Sequence, residues 1–207
     1  MYNFLNNFIN VNDKNSIANK VRRENFNHFK DLVSSFNRKV KILDIGGTQK
    51  YWEMMEYTNP DLLEVTLINT AENKVTLPNF RAIKMDATDL DILEFDCDIV
   101  FSHSLIEHVD HEIFATIVRC FNRSYFIQTP NKYFPMEPHF LIPLFQFMPL
   151  WLKKLILKSI KSPIINEVED INLLNKKELR KLFPYSEIYD GKILGITQSF
   201  IVMRRIV

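Results

Sequence analysis

The sequence predicts an α/β fold. Residues 1–207 form one domain on a mainly parallel seven-stranded sheet, with an antiparallel terminal strand and an apolar helical insertion after the fifth strand. Three observations predict it. Short β-branched runs alternate with helix-compatible segments, the pattern of βαβ units whose strands lie parallel. The first run, Val40-Lys41-Ile42-Leu43-Asp44-Ile45, stops at Gly46-Gly47 in a chain with only four glycines. The chain closes on two strands with a short connection, which suits an antiparallel pair at the sheet edge. The plan is Rossmann-like.

Residues 13–37 read as an amphipathic helix. Ile17, Val21, Phe29, Leu32, Val33 and Phe36 recur at helical spacing, with Arg22, Arg23 and Lys30 elsewhere around the wheel. Residues 40–45 form a buried strand that ends in a tight turn. Further strands are expected at 64–69, 80–85, 98–102 and 124–129. A proline-punctuated loop, residues 129–139, opens an insertion over 131–175. Within it Phe140 to Leu152 is almost wholly apolar and is followed by Lys153, Lys154, Lys158 and Lys161. The run is shorter than the ~20 residues that span a bilayer, and Pro143 and Pro149 interrupt it. Three readings stand open: a helical insertion packed on the sheet, a cover over a substrate site, and a basic amphipathic helix in weak, salt-sensitive contact with anionic lipid. Leu179 to Phe183 closes a helix, and strands at 187–189 and 199–203 complete the sheet.

A chain of this length can bury a full core. The formal net charge of +1 gives no global pull toward nucleic acid. There is also no basic stripe with interleaved aromatics, so no nucleic-acid partner is expected. Cys97 and Cys120 lack metal-type spacing and read as reduced, packed thiols of a cytoplasmic protein. The N-terminus lacks the pattern of a signal peptide. Nothing in the pattern fixes an oligomeric state.

Chemistry is expected at the strand ends. A ligand lying over the carboxyl end of a parallel strand needs close backbone approach, which glycine permits. The Asp44 carboxylate can accept hydrogen bonds there or balance a ligand's ammonium. Asn69, Met85-Asp86-Ala87 and Ser102-His103-Ser104 end the next three strands at the same edge. A Gly-Gly turn with an Asp is also compatible with an ordinary strand-to-helix connection.

These segments resemble the class I S-adenosylmethionine (SAM) dependent methyltransferase superfamily over residues 36–203. Residues 41–52 (KILDIGGTQKYW) resemble its glycine-rich first motif. Asn69, Asp86-Ala87 and the run Asp98 to Ser102 fall where its second, third and fourth motifs fall. Ile106-Glu107-His108-Val109 resembles the Glu-His-Val that often follows the fourth strand. PNKYFPMEPHFLIPLFQFMP and LFPYSEIYDGKILGITQSFIV resemble a bacterial subgroup associated with surface-polysaccharide and quinone-pathway biosynthesis.

The resemblance implies SAM as cofactor, held by Asp44, Gly46, Gly47, Thr48, Asn69, Asp86, Ala87, Ser102, His103 and His108. Asn69 would meet the ribose and Asp86 the adenine amino group. It implies methyl transfer to a small molecule or glycan precursor, most simply at oxygen, with the 131–175 insertion on the acceptor side. A lipid-like or quinone phenol is the second acceptor class, and a non-catalytic SAM-binding regulator is the alternative from another class.

Glu137 and His139 are the expected catalytic pair. Histidine can deprotonate a hydroxyl near neutral pH, and a carboxylate can orient its ring; the bland alternative is that both merely brace the loop. His28 and His111 read as surface residues.

Departures from the superfamily pattern matter. Thr48 and Lys50 stand at the later glycine positions of the first motif. Asn69 replaces the usual acid and bonds hydroxyls without charge assistance. Ser104, Glu107 and His108 match a Glu-x-x-Glu-His metal triad at two positions only, so no metal is expected. Glu107 otherwise reads as a solvated carboxylate near the positive end of a helix. A nicotinamide oxidoreductase would show Gly-x-Gly-x-x-Gly and an acid after the second strand, and this chain shows neither.

Overall fold

In a computed structural model, residues 17–136, 142–159 and 171–206 are described, with side chains from Asn19 onward. Val40–Ile45 forms β1, buried at five of its six positions. It pairs in parallel with β2 (Leu63–Asn69) on one side and β4 (Ile99–His103) on the other. A strand paired on both edges and covered on both faces must be apolar almost throughout, and this one is. β3 (Phe80–Lys84) extends the sheet beyond β2, and β5 (Ser124–Pro130), buried at all seven positions, extends it beyond β4.

β7 (Ile196–Arg204) runs antiparallel to β5, and β6 (Glu187–Ile193) antiparallel to β7. The order is β3-β2-β1-β4-β5-β7-β6, so β7 alone opposes the other six strands and lies one place in from the edge. Leu194 and Gly195, at φ 49° and 82°, make the tight turn between them. Positive φ at both central residues is the twist a two-residue hairpin requires.

Alternate residues of β1 serve two apolar layers. Val40 and Ile42 face an aromatic layer with Phe26, Phe29, Trp52, Phe101 and Phe126. α1 (Ile17–Ser34) and α2 (Gln49–Met54) supply its first three rings. Leu43 and Ile45 face a mixed layer with Phe114, Ala115 and Val118 of α3 (His111–Cys120) and Leu179 and Leu182 of α5 (Lys176–Leu182). Asp110 caps α3 through the Ile113 amide, and Asn175 and Glu178 form a reciprocal capping box on α5.

In the insertion a short 3-10 turn at Phe145–Phe147 precedes α4 (Leu150–Ser159). The helix therefore takes in only the last residues of the apolar run. Pro149 sets its first turn, its carbonyl accepting from the Leu152 and Lys153 amides at 3.0 and 3.1 Å. Lys153, Lys154 and Lys158 lie on the helix, and Lys161 lies outside the described residues. Among the described residues of this region, Phe145 and Leu157 are buried as an apolar pair. Among the described residues no helix is long and apolar enough to cross a membrane.

Two smaller expectations change. Cys97 is buried but Cys120 is exposed, because it falls off the buried stripe of Phe114, Ala115 and Val118. His28 is half-buried and stacks on Tyr189 at 4.3 Å between ring centroids.

Candidate functional site

The five parallel strands present their carboxyl ends at one edge, and β1 ends there in the Gly46-Gly47 turn. Gly46 has φ +83°, and its amide donates to the Ile68 carbonyl at 2.7 Å. Gly47 is constrained by space. A Cβ on it would lie 1.8 Å from Asp44 Oδ2, so the carboxylate fills the volume a side chain would need.

Asp44 is 1% exposed. Its Oδ2 accepts a hydrogen bond from the Trp52 indole at 2.8 Å. Its Oδ1 is buried with no partner among the described residues. Burial pushes the carboxyl up to about 7, and the indole bond opposes that only in part. A buried, half-satisfied carboxylate of this kind is a strong acceptor awaiting a cationic or N–H donor.

Thr48 is the extended residue before α2, with no side-chain cap bond to that helix. The Asn69 amide donates to the Gly46 and Gly47 carbonyls at 3.2 Å each, while its oxygen accepts from the Ala71 amide. Asn73 adds a second donor to the Gly47 carbonyl at 3.2 Å. A carboxylate could not donate to these carbonyls, which gives a physical reason for an amide at position 69. Its NH2 group is used in holding the turn, while its oxygen, which accepts from the Ala71 amide, keeps a second lone pair that a ribose hydroxyl can use.

Asp86 is exposed at the start of a short turn, with Ala87 buried beneath it. Its Oδ1 accepts from the Thr88 amide and hydroxyl at 2.8 and 2.7 Å, which hold its carboxyl below the usual range. Ser102 turns inward, its hydroxyl donating to the Ile45 carbonyl at 2.9 Å, and so ties β4 to β1. His103, ending β4, is half-buried with its ring 4.6 Å from that of Tyr51. Burial first, then the positive charge of Arg22, push its imidazole well below the ordinary value. His108 is exposed.

Glu107 is a correction. It is fully buried, not solvated, and accepts from the Thr129 hydroxyl of β5 at 2.9 Å. The short turn after β4 rolls its side chain under the end of β5, while its carbonyl accepts the Asn172 amide at 2.8 Å. Among the described residues no group of three or more His, Cys, Asp or Glu side chains could hold a metal ion.

Sequence reasoning missed Arg22, Tyr51 and Trp52. Arg22 is half-buried on α1, and its Nη1 donates to the buried Asn19 at 3.0 Å. Burial lowers its pKa and the Tyr51 hydroxyl opposes the shift, while Asp44 and burial hold the Tyr51 phenol up. Tyr51 is thus held up by burial first and then by Asp44, while Arg22 acts in the opposite direction. The polar pair Asn19 and Arg22, three residues apart and one turn before Phe26, was the available signal. The structure brings Asp44, Gly46, Gly47, Thr48 and Asn69 together at the β1–β2 end, with His103 reached through Tyr51. Glu137 and His139 lie outside the described residues.

No family model matches the sequence, and no curated protein matches it. Solved structures do match the fold. The methyltransferase domain of bacterial CtHen1-CN aligns with a TM-score of 0.58 at 12% identity, over 88% of this chain and 98% of that one. The plantazolicin methyltransferase BpumL, solved with S-adenosylhomocysteine (SAH) and a triazolic desmethylPZN analog, aligns at 0.54 and 14%, over 89% and 84%. Magnesium protoporphyrin IX methyltransferase from Synechocystis, solved with SAM, aligns at 0.51 and 11%, over 93% and 83%. The chain therefore has the Rossmann-like fold of the SAM-dependent methyltransferases, with seven strands and one of them reversed.

Proposed function

We propose that the protein is a SAM-dependent methyltransferase acting in the cytoplasm on a small-molecule acceptor. The observation that carries this reading is the buried Oδ1 of Asp44, which has no partner among the described residues and belongs to a carboxylate that fills the space a side chain at Gly47 would need. The amino-acid end of SAM is a zwitterion. Asp44 offers an acceptor to its ammonium, and Arg22 offers a guanidinium to its carboxylate. Gly46 and Gly47 let the ligand approach the backbone. Asp86, which follows β3, is proposed to meet the adenine amino group, with His103 and His108 near the end of β4 as further cofactor contacts. The donor and acceptor types fit the cofactor.

When bound, SAM supplies a methyl group activated by its sulfonium. The chain's part is orientation and exclusion of water. Glu137 and His139 are proposed to remove the proton from an acceptor hydroxyl, His139 as base and Glu137 as its orienting carboxylate. The preferred acceptor is a sugar or glycan-precursor hydroxyl, on the resemblance of the 130–149 and 182–202 segments. A lipid-like or quinone phenol is the second choice, favoured by the exposed apolar surface of the insertion.

A non-catalytic SAM-binding regulator keeps one specific support: the Asn69 amide is already committed to the Gly46-Gly47 turn. Incubation with methyl-labelled SAM and panels of glycan-precursor and phenolic acceptors separates the readings. Transfer of label to a hydroxyl supports the enzyme. SAM binding with no transfer to any acceptor class supports the regulator.

A further inference from the structure

α4 buries little of itself. Leu157 packs on Phe145, and Lys153 lays its ammonium over that ring at 5.6 Å. The opposite face is exposed. Trp151, Lys154, Leu155 and Lys158 follow one another at helical i, i+3, i+4, i+7 spacing and so share that face. Trp151 is 68% exposed and Leu155 59%. The turn before the helix adds Leu144 at 55% and Phe147 at 53%, with Phe147 stacked on exposed Tyr133. Exposed apolar groups clustered this way mark a contact surface.

The charge around the cluster says what it contacts. Between Glu137 and Glu167 the chain has no acidic residue and four lysines, in a protein whose net charge is only +1. Exposed Trp, Tyr and Phe side chains, beside a described segment (142–159) whose charged residues are all lysines, complement an anionic interfacial layer. A second copy docking on the same face would set lysine against lysine. We propose that this face of the β5–β6 insertion docks the protein onto an anionic phospholipid bilayer. Trp151, Leu155, Leu144 and Phe147 enter the headgroup region while Lys154 and Lys158 meet lipid phosphates. The insertion that carries this face follows the carboxyl end of β5, the sheet edge at which Gly46 and His103 also lie.

The chain's two tryptophans make the test direct, because Trp52 is fully buried and Trp151 reports the face. The full-length chain is mixed with vesicles of phosphatidylcholine, with and without phosphatidylglycerol, and followed by co-sedimentation and tryptophan emission. Expected are a blue shift and sedimentation with anionic vesicles, about tenfold or more weaker on neutral ones and weakened by salt. Lys154→Gln with Lys158→Gln should weaken binding about tenfold or more. Trp151→Ser with Leu155→Ser should abolish it while the thermal midpoint and its shift with SAH stay unchanged. Absence of binding, or equal binding to neutral and anionic vesicles, overturns the proposal. So does a blue shift without vesicles that grows with protein concentration, which would assign the face to a second copy. None of these readings depends on methyl transfer.

Discussion

Trp52 Nε1 donates to Asp44 Oδ2 at 2.8 Å, and that one bond fixes the carboxylate under Gly47 while its second oxygen stays unsatisfied. The aromatic layer thereby positions the polar end of β1. Trp52 itself is gripped by Phe26 and Phe29 of α1 and by Phe101 of β4, at ring centroid distances of 6.0, 5.6 and 5.0 Å.

Gly47→Ala is the first prediction. The new Cβ has nowhere to go except into Asp44, so the carboxylate or the turn must shift. Overpacking of this kind costs about 1–3 kcal/mol. The thermal midpoint should fall by roughly 2–4 °C for each kcal/mol lost. Scanning calorimetry reads that fall, and SAH should no longer raise the midpoint of the variant.

Asp44 sets a pH dependence. Its carboxyl is raised from 3.8 to about 7 in the folded protein, so the native state keeps a proton that the unfolded chain has already lost. The unfolded state therefore binds fewer protons between these values, and this group's contribution to stability falls as pH rises from about 4 to about 7. Asp44→Asn lacks the titration. Urea unfolding at pH 5 and pH 8 should show wild type losing ground to Asp44→Asn at the higher pH. A constant difference between the two proteins would show that the carboxyl is not raised.

Arg22 is predicted to bind a carboxylate and to add to the burial that keeps His103 neutral. Arg22→Met should bring the His103 imidazole back toward its ordinary value, because the cation that disfavours its protonated form is gone. The same variant should bind SAH about 10- to 100-fold more weakly, the loss of a charged hydrogen bond. Histidine titration by NMR and calorimetry on one sample separate the two effects. An unchanged SAH affinity would remove Arg22 from the site.

Much of this was readable in advance. The strand boundaries came within a residue or so for β1 to β5, because β-branched runs bounded by glycine, proline or polar residues are local signals. Gly46-Gly47 marked the turn for the same reason. The contacts that give the site its character are not local. Trp52 meets Asp44 only because a short helix folds back over the strand, and Glu107 is buried only because Thr129 of another strand lies above it. Arg22 looked like a residue off the apolar stripe, and its role depends on where α1 packs. The start of α4 was not given by hydrophobicity, which locates only an apolar run; Pro149 decides where the helix begins.

His139→Ala tests the proposed base. Turnover should drop by roughly 100-fold, with SAM affinity nearly unchanged. A stable variant with full turnover removes the base assignment and leaves cofactor binding intact. Parallel loss of stability and SAM affinity would instead make His139 a brace of its loop.

The central claim is that the end of β1 holds the amino-acid moiety of SAM, and a calorimetric titration of SAH into wild type and Asp44→Asn tests it most directly. The account predicts saturable binding at one site in wild type, with proton release on binding below pH 7 because the ligand's ammonium favours the ionised carboxylate. It predicts that Asp44→Asn loses both the proton release and at least tenfold in affinity. SAH binding that is equally tight in Asp44→Asn, or no binding of SAH where NAD binds, would contradict it.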